Sequence, residues 1–113
     1  MSDNCLFCRI VRKEIPAGIV FENEHVVAFR DIDPKAPTHV LLVPRVHVAS
    51  LDETTDGAML GELMLAAATV ARAEGVAASG YRTVLNTGSD GGQTVFHLHV
   101  HLLGGRALHW PPG

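Results

Sequence analysis

The chain has 113 residues, enough for one domain and too few for two, so we predict a single domain over residues 1–113 with a C-terminal tail over residues 104–113. Hydrophobic residues make up 47% and charged residues 19%, which predicts a buried core and argues against disorder. The net charge of −3 gives no support to a surface for nucleic acid or anionic membrane, and no apolar run approaches the ~18 residues of a membrane span.

The N-terminal segment joins a polar start to a Cys-x-x-Cys motif. Residues 1–4 lack the apolar stretch of a secretion signal, which predicts a cytoplasmic location. In that compartment Cys5 and Cys8 indicate metal or redox chemistry rather than a structural disulfide. Half of a zinc site, a thioredoxin-like redox pair and two unrelated cysteines all stay open, although a redox pair normally follows a strand. Apolar residues in and after the motif predict one short helix that ends before Pro16.

Two apolar runs then predict a β-hairpin. Residues 19–22 and 25–30 read as strands joined by a turn at residues 23–24, which places His25 in the turn as a solvated side chain. Asp31 lies just beyond the second strand. Its carboxylate is placed to accept hydrogen bonds from a sugar diol, or it serves the turn itself.

The middle of the chain predicts a central strand followed by one long helix. Residues 39–43 form a continuous apolar run that begins at His39 and stops at Pro44, and His47 lies beyond it. Either histidine, taken singly, could be structural. The helix begins somewhere between residues 50 and 56 and ends at Gly75. Its apolar side chains recur at helical spacing: Met59, Leu60, Leu63, Met64, Ala67, Val70 and Ala71.

A glycine-rich loop follows a further predicted strand over residues 81–86. The loop, residues 87–94, contains three glycines that allow backbone N–H groups to converge on a phosphate. It matches neither the Walker nor the Rossmann pattern, and a plain hairpin loop is the alternative. The loop delivers Gln93 and Thr94 next to a group of histidines, which favours a functional role.

Three histidines, His97, His99 and His101, alternate with aliphatic residues after this loop. A period of two is that of a strand, so we predict imidazoles on one face and buried Leu98 and Val100 on the other. Neighbouring side chains on one face of a strand lie ~7 Å apart, too far for one zinc ion to bind all three.

The three imidazoles therefore divide their roles. One end histidine can join Cys5, Cys8 and another histidine in a structural Cys2His2 zinc site. The middle histidine is then free to attack phosphorus as a neutral imidazole, and an adjacent imidazolium can donate a proton to the leaving group. No carboxylate cluster suited to Mg²⁺ is visible in the sequence, so we expect no catalytic metal.

The end of the chain contains its only tryptophan. Trp110 is followed by two prolines within residues 107–113, which predicts a docked tail rather than a frayed one.

Residues 97–103, His-Leu-His-Val-His-Leu-Leu, resemble the signature of the histidine triad (HIT) family. The tail resembles that of the nucleotide-binding branch of this family, the purine nucleoside phosphoramidases. The likeness extends over nearly the whole chain and includes residues 29–32, 36–39, 43–47, Asn86, residues 91–96 and residues 104–113.

The resemblance implies an α+β fold, with an antiparallel sheet of about five strands, one long helix and a short N-terminal helix, in a homodimer with a continuous sheet. It implies hydrolysis of the P–N bond of adenosine or guanosine 5′-monophosphoramidates through a covalent nucleotidyl-histidine, with a purine nucleotide as ligand. His99 would be the nucleophile. His101 would contact the phosphate and, with His39, support His99.

The resemblance also implies the binding residues. Asp31 would bind the ribose hydroxyls, and the tail around Trp110 would reach toward the partner subunit's active site. The phosphate would be bound by Asn86, Gly92, Gln93 and Thr94, the last of which stands where many relatives have serine. The base pocket would be lined by Ile10, Ile15, Phe29 and Ile32.

The cysteine pair separates this chain from the animal members of the branch, which generally lack it. Several bacterial members bind zinc through the equivalents of Cys5, Cys8, His47 and His97, and the resemblance implies the same site here. Dinucleoside polyphosphate hydrolysis, nucleotidyl transfer and a nucleotide-binding regulator acting through a partner protein remain alternative functions. The tail disfavours the first two.

Overall fold

The computed structural model describes residues 4–113. It confirms the predicted α+β fold, with an antiparallel five-stranded sheet, one short helix and one long helix. In chain order the elements are α1 (Leu6–Val11), β1 (Ile19–Glu22), β2 (Val26–Arg30), β3 (Thr38–Pro44), a 3-10 turn (Leu51–Glu53), α2 (Gly57–Ala73), β4 (Tyr81–Val84) and β5 (Val100–Gly104).

The sheet order β1-β2-β3-β5-β4 places β3 at the centre and pairs it with β5. In this ladder His39 lies opposite Leu103, and Leu41 lies opposite His101. Strands that are distant in sequence thus bring two of the candidate site histidines together. The outer strands of the sheet are β1 and β4.

The predicted histidine strand begins later than its sequence pattern indicates. Only His101 lies within β5, whereas His97 and His99 belong to an irregular lead-in. The register would place Leu98 opposite Pro44, which has no N–H for the ladder. The N–H of Leu98 instead donates to the carbonyl of Val48 at 2.7 Å. Residues 97–100 still alternate between the two faces although residues 97–99 lie outside the hydrogen-bonded strand. Leu98 and Val100 are buried beneath α2, as predicted.

The two faces of the sheet carry separate apolar clusters. One lies under α2 and is built from the predicted helical stripe, although Met64 is 45% exposed and therefore lies outside it. The other lies under α1 and contains Phe7, Ile10, Val27, Phe29, Leu41 and Val43. This second face is the one that carries the histidines.

The long helix starts and stops where local chemistry favours it. Asp56 caps its first turn by accepting the N–H of Met59 at 3.0 Å. Gly75 has a φ of 76°, the left-handed backbone that terminates helices, which confirms the predicted stop. Among residues 4–113 no helix is long and apolar enough to cross a membrane. The cytoplasmic location stays a prediction.

The tail after Gly104 is largely exposed in the single chain, and its docking stays a prediction. Trp110 is 81% exposed, and the residues after it are exposed as well. Its visible anchor is Arg82, which donates to the carbonyl of His109 at 2.9 Å. Residues 4–113 leave the indole largely uncovered, and composition alone cannot reveal that.

Candidate active site and metal centre

Two cysteines and two histidines from three segments meet at one point. Cys5 caps α1, His47 follows β3, and His97 precedes β5. The His97 Nδ1 atom lies 3.3 Å from Cys5 Sγ, 3.4 Å from Cys8 Sγ and 3.2 Å from His47 Nδ1. All four donor atoms lie within 4.8 Å of one another. The structure thus assembles the four predicted ligands.

The cluster fits a tetrahedral metal ion. Bonds of ~2.0–2.3 Å to nitrogen and sulfur separate tetrahedral ligands by ~3.3–3.8 Å, close to the spacings found here. The Nε2 atom of His97 donates to the carbonyl of Pro44 at 2.9 Å, which leaves the lone pair on Nδ1 directed toward the cysteines. Burial lowers the pKa of His97, which favours the neutral, ligating form.

The candidate nucleophile has its tautomer set by the backbone. The Nδ1 atom of His99 lies 2.8 Å from the carbonyl oxygen of His97. A carbonyl only accepts, so Nδ1 carries the proton and Nε2 keeps its lone pair. Burial lowers the pKa of His99, so the imidazole is neutral near pH 7. These two conditions make Nε2 of His99 a competent nucleophile.

His101 is oriented by a series of hydrogen bonds that starts at the backbone of Lys35. The backbone N–H of Lys35 donates to Nδ1 of His39 at 3.0 Å, so His39 carries its proton on Nε2. That Nε2 atom lies 3.0 Å from Nδ1 of His101 and 3.5 Å from Asp31. His101 therefore accepts on Nδ1 and presents an N–H at Nε2. His39 supports His99 only through His101, whose ring centroid is 4.9 Å from that of His99.

Asp31, His39 and His101 also bring three potential metal ligands together. The neutral imidazole of His39 has one lone pair, and the N–H of Lys35 occupies it. A metal at Nε2 would need the lone pair to be there instead. We therefore interpret this cluster as a proton-bearing relay rather than a metal site.

A cavity of about 300 Å³ opens beside these histidines. Its polar lining comes from His99, His101, Asp31 and Thr94. Asp31 also accepts the N–H of Asp33, so it serves the turn as well as the cavity. All four residues predicted for a base pocket line this cavity: Ile10, Ile15, Phe29 and Ile32.

The glycine-rich loop supports the cavity more than it lines it. Of the four predicted phosphate-binding residues only Thr94 is in the lining; Asn86, Gly92 and Gln93 are not. The buried amide of Gln93 accepts the N–H of Gly88 and donates to the carbonyls of Ala49 and Val95. Its side chain therefore holds the loop in place.

Close packing within the loop depends on a glycine. A Cβ on Gly91 would collide with the carbonyl oxygen of Thr87, so no other residue fits this turn without moving the backbone. The loop conformation brings Thr94 to the cavity, which links the glycine pattern to the site.

Some lining residues were not predicted. Phe7 lies between the two cysteines, one helical turn before Ile10, and that spacing could have identified it. Leu41 and Val95 also line the cavity. The Lys35 N–H that sets the tautomer of His39 carries no sequence signal, because any residue type but proline supplies it.

Acidification is expected to destabilise the fold through His101. Burial, followed by the charges of His99 and His39, lowers the pKa of His101 to about 4. The unfolded chain, with a pKa near ~6.5, binds the proton first, so stability is full above ~6.5 and falls as pH drops toward 4. From about pH 7 to about pH 5 the loss is up to about 2 kcal/mol.

Denaturant unfolding at several pH values measures this loss. His101→Asn, which cannot titrate, should unfold with a clearly smaller pH slope than wild type. Equal slopes in the two proteins would contradict a role for His101 in the pH dependence.

A His-lined cavity next to a Cys2His2 cluster on this sheet defines the class of the protein. The HIT domain family matches residues 12–108, and the chain belongs to this family. It is 49% identical to the 14 kDa zinc-binding protein of Zea mays, covering 96% of this chain and 87% of the relative. It is 44% identical to the purine nucleoside phosphoramidase of Escherichia coli, covering 96% and 92%.

Solved structures agree with this assignment. The crystal structure of a HIT family hydrolase from Legionella pneumophila superposes with a TM-score of 0.95 at 50% identity, covering 97% of this chain and 100% of that one. A histidine triad protein from Clostridium difficile superposes with a TM-score of 0.91 at 40% identity, covering 95% of each chain.

Proposed function

We propose that the protein is a purine nucleoside phosphoramidase that cleaves the P–N bond of adenosine or guanosine 5′-monophosphoramidates. The observation that carries the proposal is the pair of opposite tautomers in the cavity. His99 offers a lone pair at Nε2, and His101 beside it offers an N–H at Nε2. A nucleophile and a hydrogen-bond donor at one phosphate are what nucleotidyl transfer requires.

In the proposed reaction the purine occupies the apolar end of the cavity and Asp31 accepts hydrogen bonds from the ribose. His101 and the Thr94 hydroxyl bind the phosphate. The ring of His101 stays neutral, because its Nδ1 atom accepts the N–H of His39, and its Nε2–H donates a hydrogen bond to a phosphate oxygen.

Nε2 of His99 then attacks phosphorus while the P–N bond breaks. The leaving nitrogen takes a proton from a water molecule and departs as the neutral amine. The Nδ1–H of His99 continues to donate to the His97 carbonyl, which stabilises the positive charge on the phosphorylated ring. Water hydrolyses this intermediate to the nucleoside monophosphate and frees His99.

We further propose that Cys5, Cys8, His47 and His97 hold a structural zinc ion. The fit of their donor atoms and the zinc-binding relative from Zea mays support this. Zinc would supply a cross-link between the N-terminal segment and the sheet, and the proposed reaction uses only the chain's own side chains.

Steady-state kinetics with adenosine 5′-phosphoramidate test the proposed activity. We expect a specificity constant at least ~100-fold above that for diadenosine polyphosphates, because the leaving amine is small and the cavity accommodates one nucleoside. A higher constant for the polyphosphate would favour that alternative. Tight AMP binding with no turnover of either substrate would favour the regulator.

We also propose a homodimer, in which apolar surface left open by the single chain is covered. Met64 and Leu65 on α2 are 45% and 69% exposed, Trp110 is 81% exposed, and β4 is an outer strand. Sedimentation equilibrium should give twice the 12.1 kDa of one chain. Leu65→Lys should shift the mass toward one chain, whereas Lys13→Ala, on a distant surface, should not.

A further inference from the structure

His97 links the metal cluster to the candidate nucleophile. Its imidazole lies in the cluster, with Nδ1 at 3.3 Å from Cys5 Sγ and 3.4 Å from Cys8 Sγ. Its carbonyl accepts the Nδ1–H of His99 at 2.8 Å. The residue has no exposed surface, so its ring and its backbone move together. A shift of the ring therefore displaces the group that orients His99.

Helix α1 supplies a second link. The ring of Phe7, which lies between the two cysteines, meets the His99 ring edge-on, with 5.1 Å between centroids and an interplanar angle of 86°. It packs in the same manner on Phe29 at 5.3 Å. The rings of Phe7 and Phe29 both line the cavity. A six-residue helix is too short to be stable alone, so its position depends on its packing and on the cysteines that flank Phe7.

We propose that the Cys5–Cys8–His47–His97 cluster is coupled to the nucleotide cavity, with His97 as a positioning residue, so that zinc occupancy and nucleotide affinity change together. The inference rests on the proposed function. Zinc binding holds the His97 ring and α1 in the arrangement that the cavity requires. Without zinc, the protein must order these groups when the nucleotide binds, and the affinity falls by that cost.

Coupling of this kind is reciprocal. If zinc strengthens AMP binding by a given factor, AMP strengthens zinc binding by the same factor. We expect about tenfold, within the usual range for coupled sites. This reciprocity provides a readout that does not involve catalysis, and in fully folded protein a metal site independent of the cavity would not produce it.

Isothermal titration calorimetry with AMP measures the effect of zinc on AMP affinity. The zinc-loaded protein should bind AMP about tenfold more tightly than the metal-free protein. His47→Ala removes the exposed ligand without touching the cavity and should weaken AMP binding by a similar factor. His47→Cys should restore it, because a thiolate and an Nδ1 atom reach a metal at similar distances from Cβ.

Competition with a chromogenic chelator measures, on the wild-type chain, the effect of AMP on zinc affinity. Saturating AMP should raise the zinc affinity by the factor measured calorimetrically. Met59→Ala is a matched control, because it opens a cavity in the core under α2 and destabilises the fold away from both sites. Its zinc-loaded form should bind AMP as wild type does.

Each outcome has a distinct meaning. Equal AMP affinities with and without zinc, or a zinc affinity that AMP does not change, would overturn the coupling and leave the phosphoramidase proposal intact. Failure of the zinc-loaded protein to bind AMP would instead contradict the proposed function itself. Weakened AMP binding in Met59→Ala would attribute the effect to stability alone.

Discussion

Replacing His99 with alanine should lower the turnover of adenosine 5′-phosphoramidate by at least ~10⁴-fold, because removal of a covalent nucleophile leaves only binding and charge stabilisation. His99 lines the cavity and keeps an Nε2 lone pair that the Nδ1 bond to His97 secures. AMP should still bind within about tenfold of wild type, since the walls of the cavity stay in place. A large loss of turnover with retained affinity separates chemistry from binding.

His25→Ala is the matched control for this variant. His25 lies in the exposed turn between β1 and β2 and should leave turnover unchanged. Rapid quenching of the wild-type reaction, followed by mass spectrometry, should detect one nucleotidyl group on His99. A variant that retains more than about 1% of wild-type turnover would reject His99 as the nucleophile.

Removal of zinc should lower the melting temperature by about 10 °C or more, because the cross-link between the N-terminal segment and the sheet is lost. Cys8 and His97 are 5% and 0% exposed, so neither can recover its interactions from water. Cys8→Ser should reproduce the effect of a chelator. Purified wild-type protein should contain one zinc ion per chain by elemental analysis, and the variant none.

The His25→Ala variant serves again as a control, since it removes an imidazole outside the metal centre. It should keep both its zinc and its melting temperature. If a chelator removed zinc without lowering the melting temperature, the metal would contribute nothing to the stability of the fold. Protein without zinc, before any chelation, would contradict the site.

Much of the local structure could be predicted from the chain. The short helix, the hairpin turn beside His25 and the stop at Gly75 all depend on neighbouring residues, and all three are confirmed. The five-stranded fold is confirmed as well. The four zinc ligands also meet as predicted, although zinc binding and the catalytic roles stay predictions.

Three features could not be predicted because they depend on distant partners. The strand after the glycine-rich loop starts at Val100, since the register puts Pro44 opposite Leu98. Gln93 turns toward Ala49 instead of the cavity. Trp110 stays exposed because the part of the chain that the structure describes leaves its ring uncovered.

The sequence by itself determined which chemistry is available: histidines at a period of two, a cysteine pair and a loop that requires glycine. Tertiary structure decided what each imidazole does. Groups that are distant in sequence, the Nε2–H of His39 and the carbonyl of Pro44, place the protons of His101 and His97 on Nε2. A residue's identity leaves its tautomer open, because either ring nitrogen can carry the proton until a hydrogen-bond partner from the fold selects one.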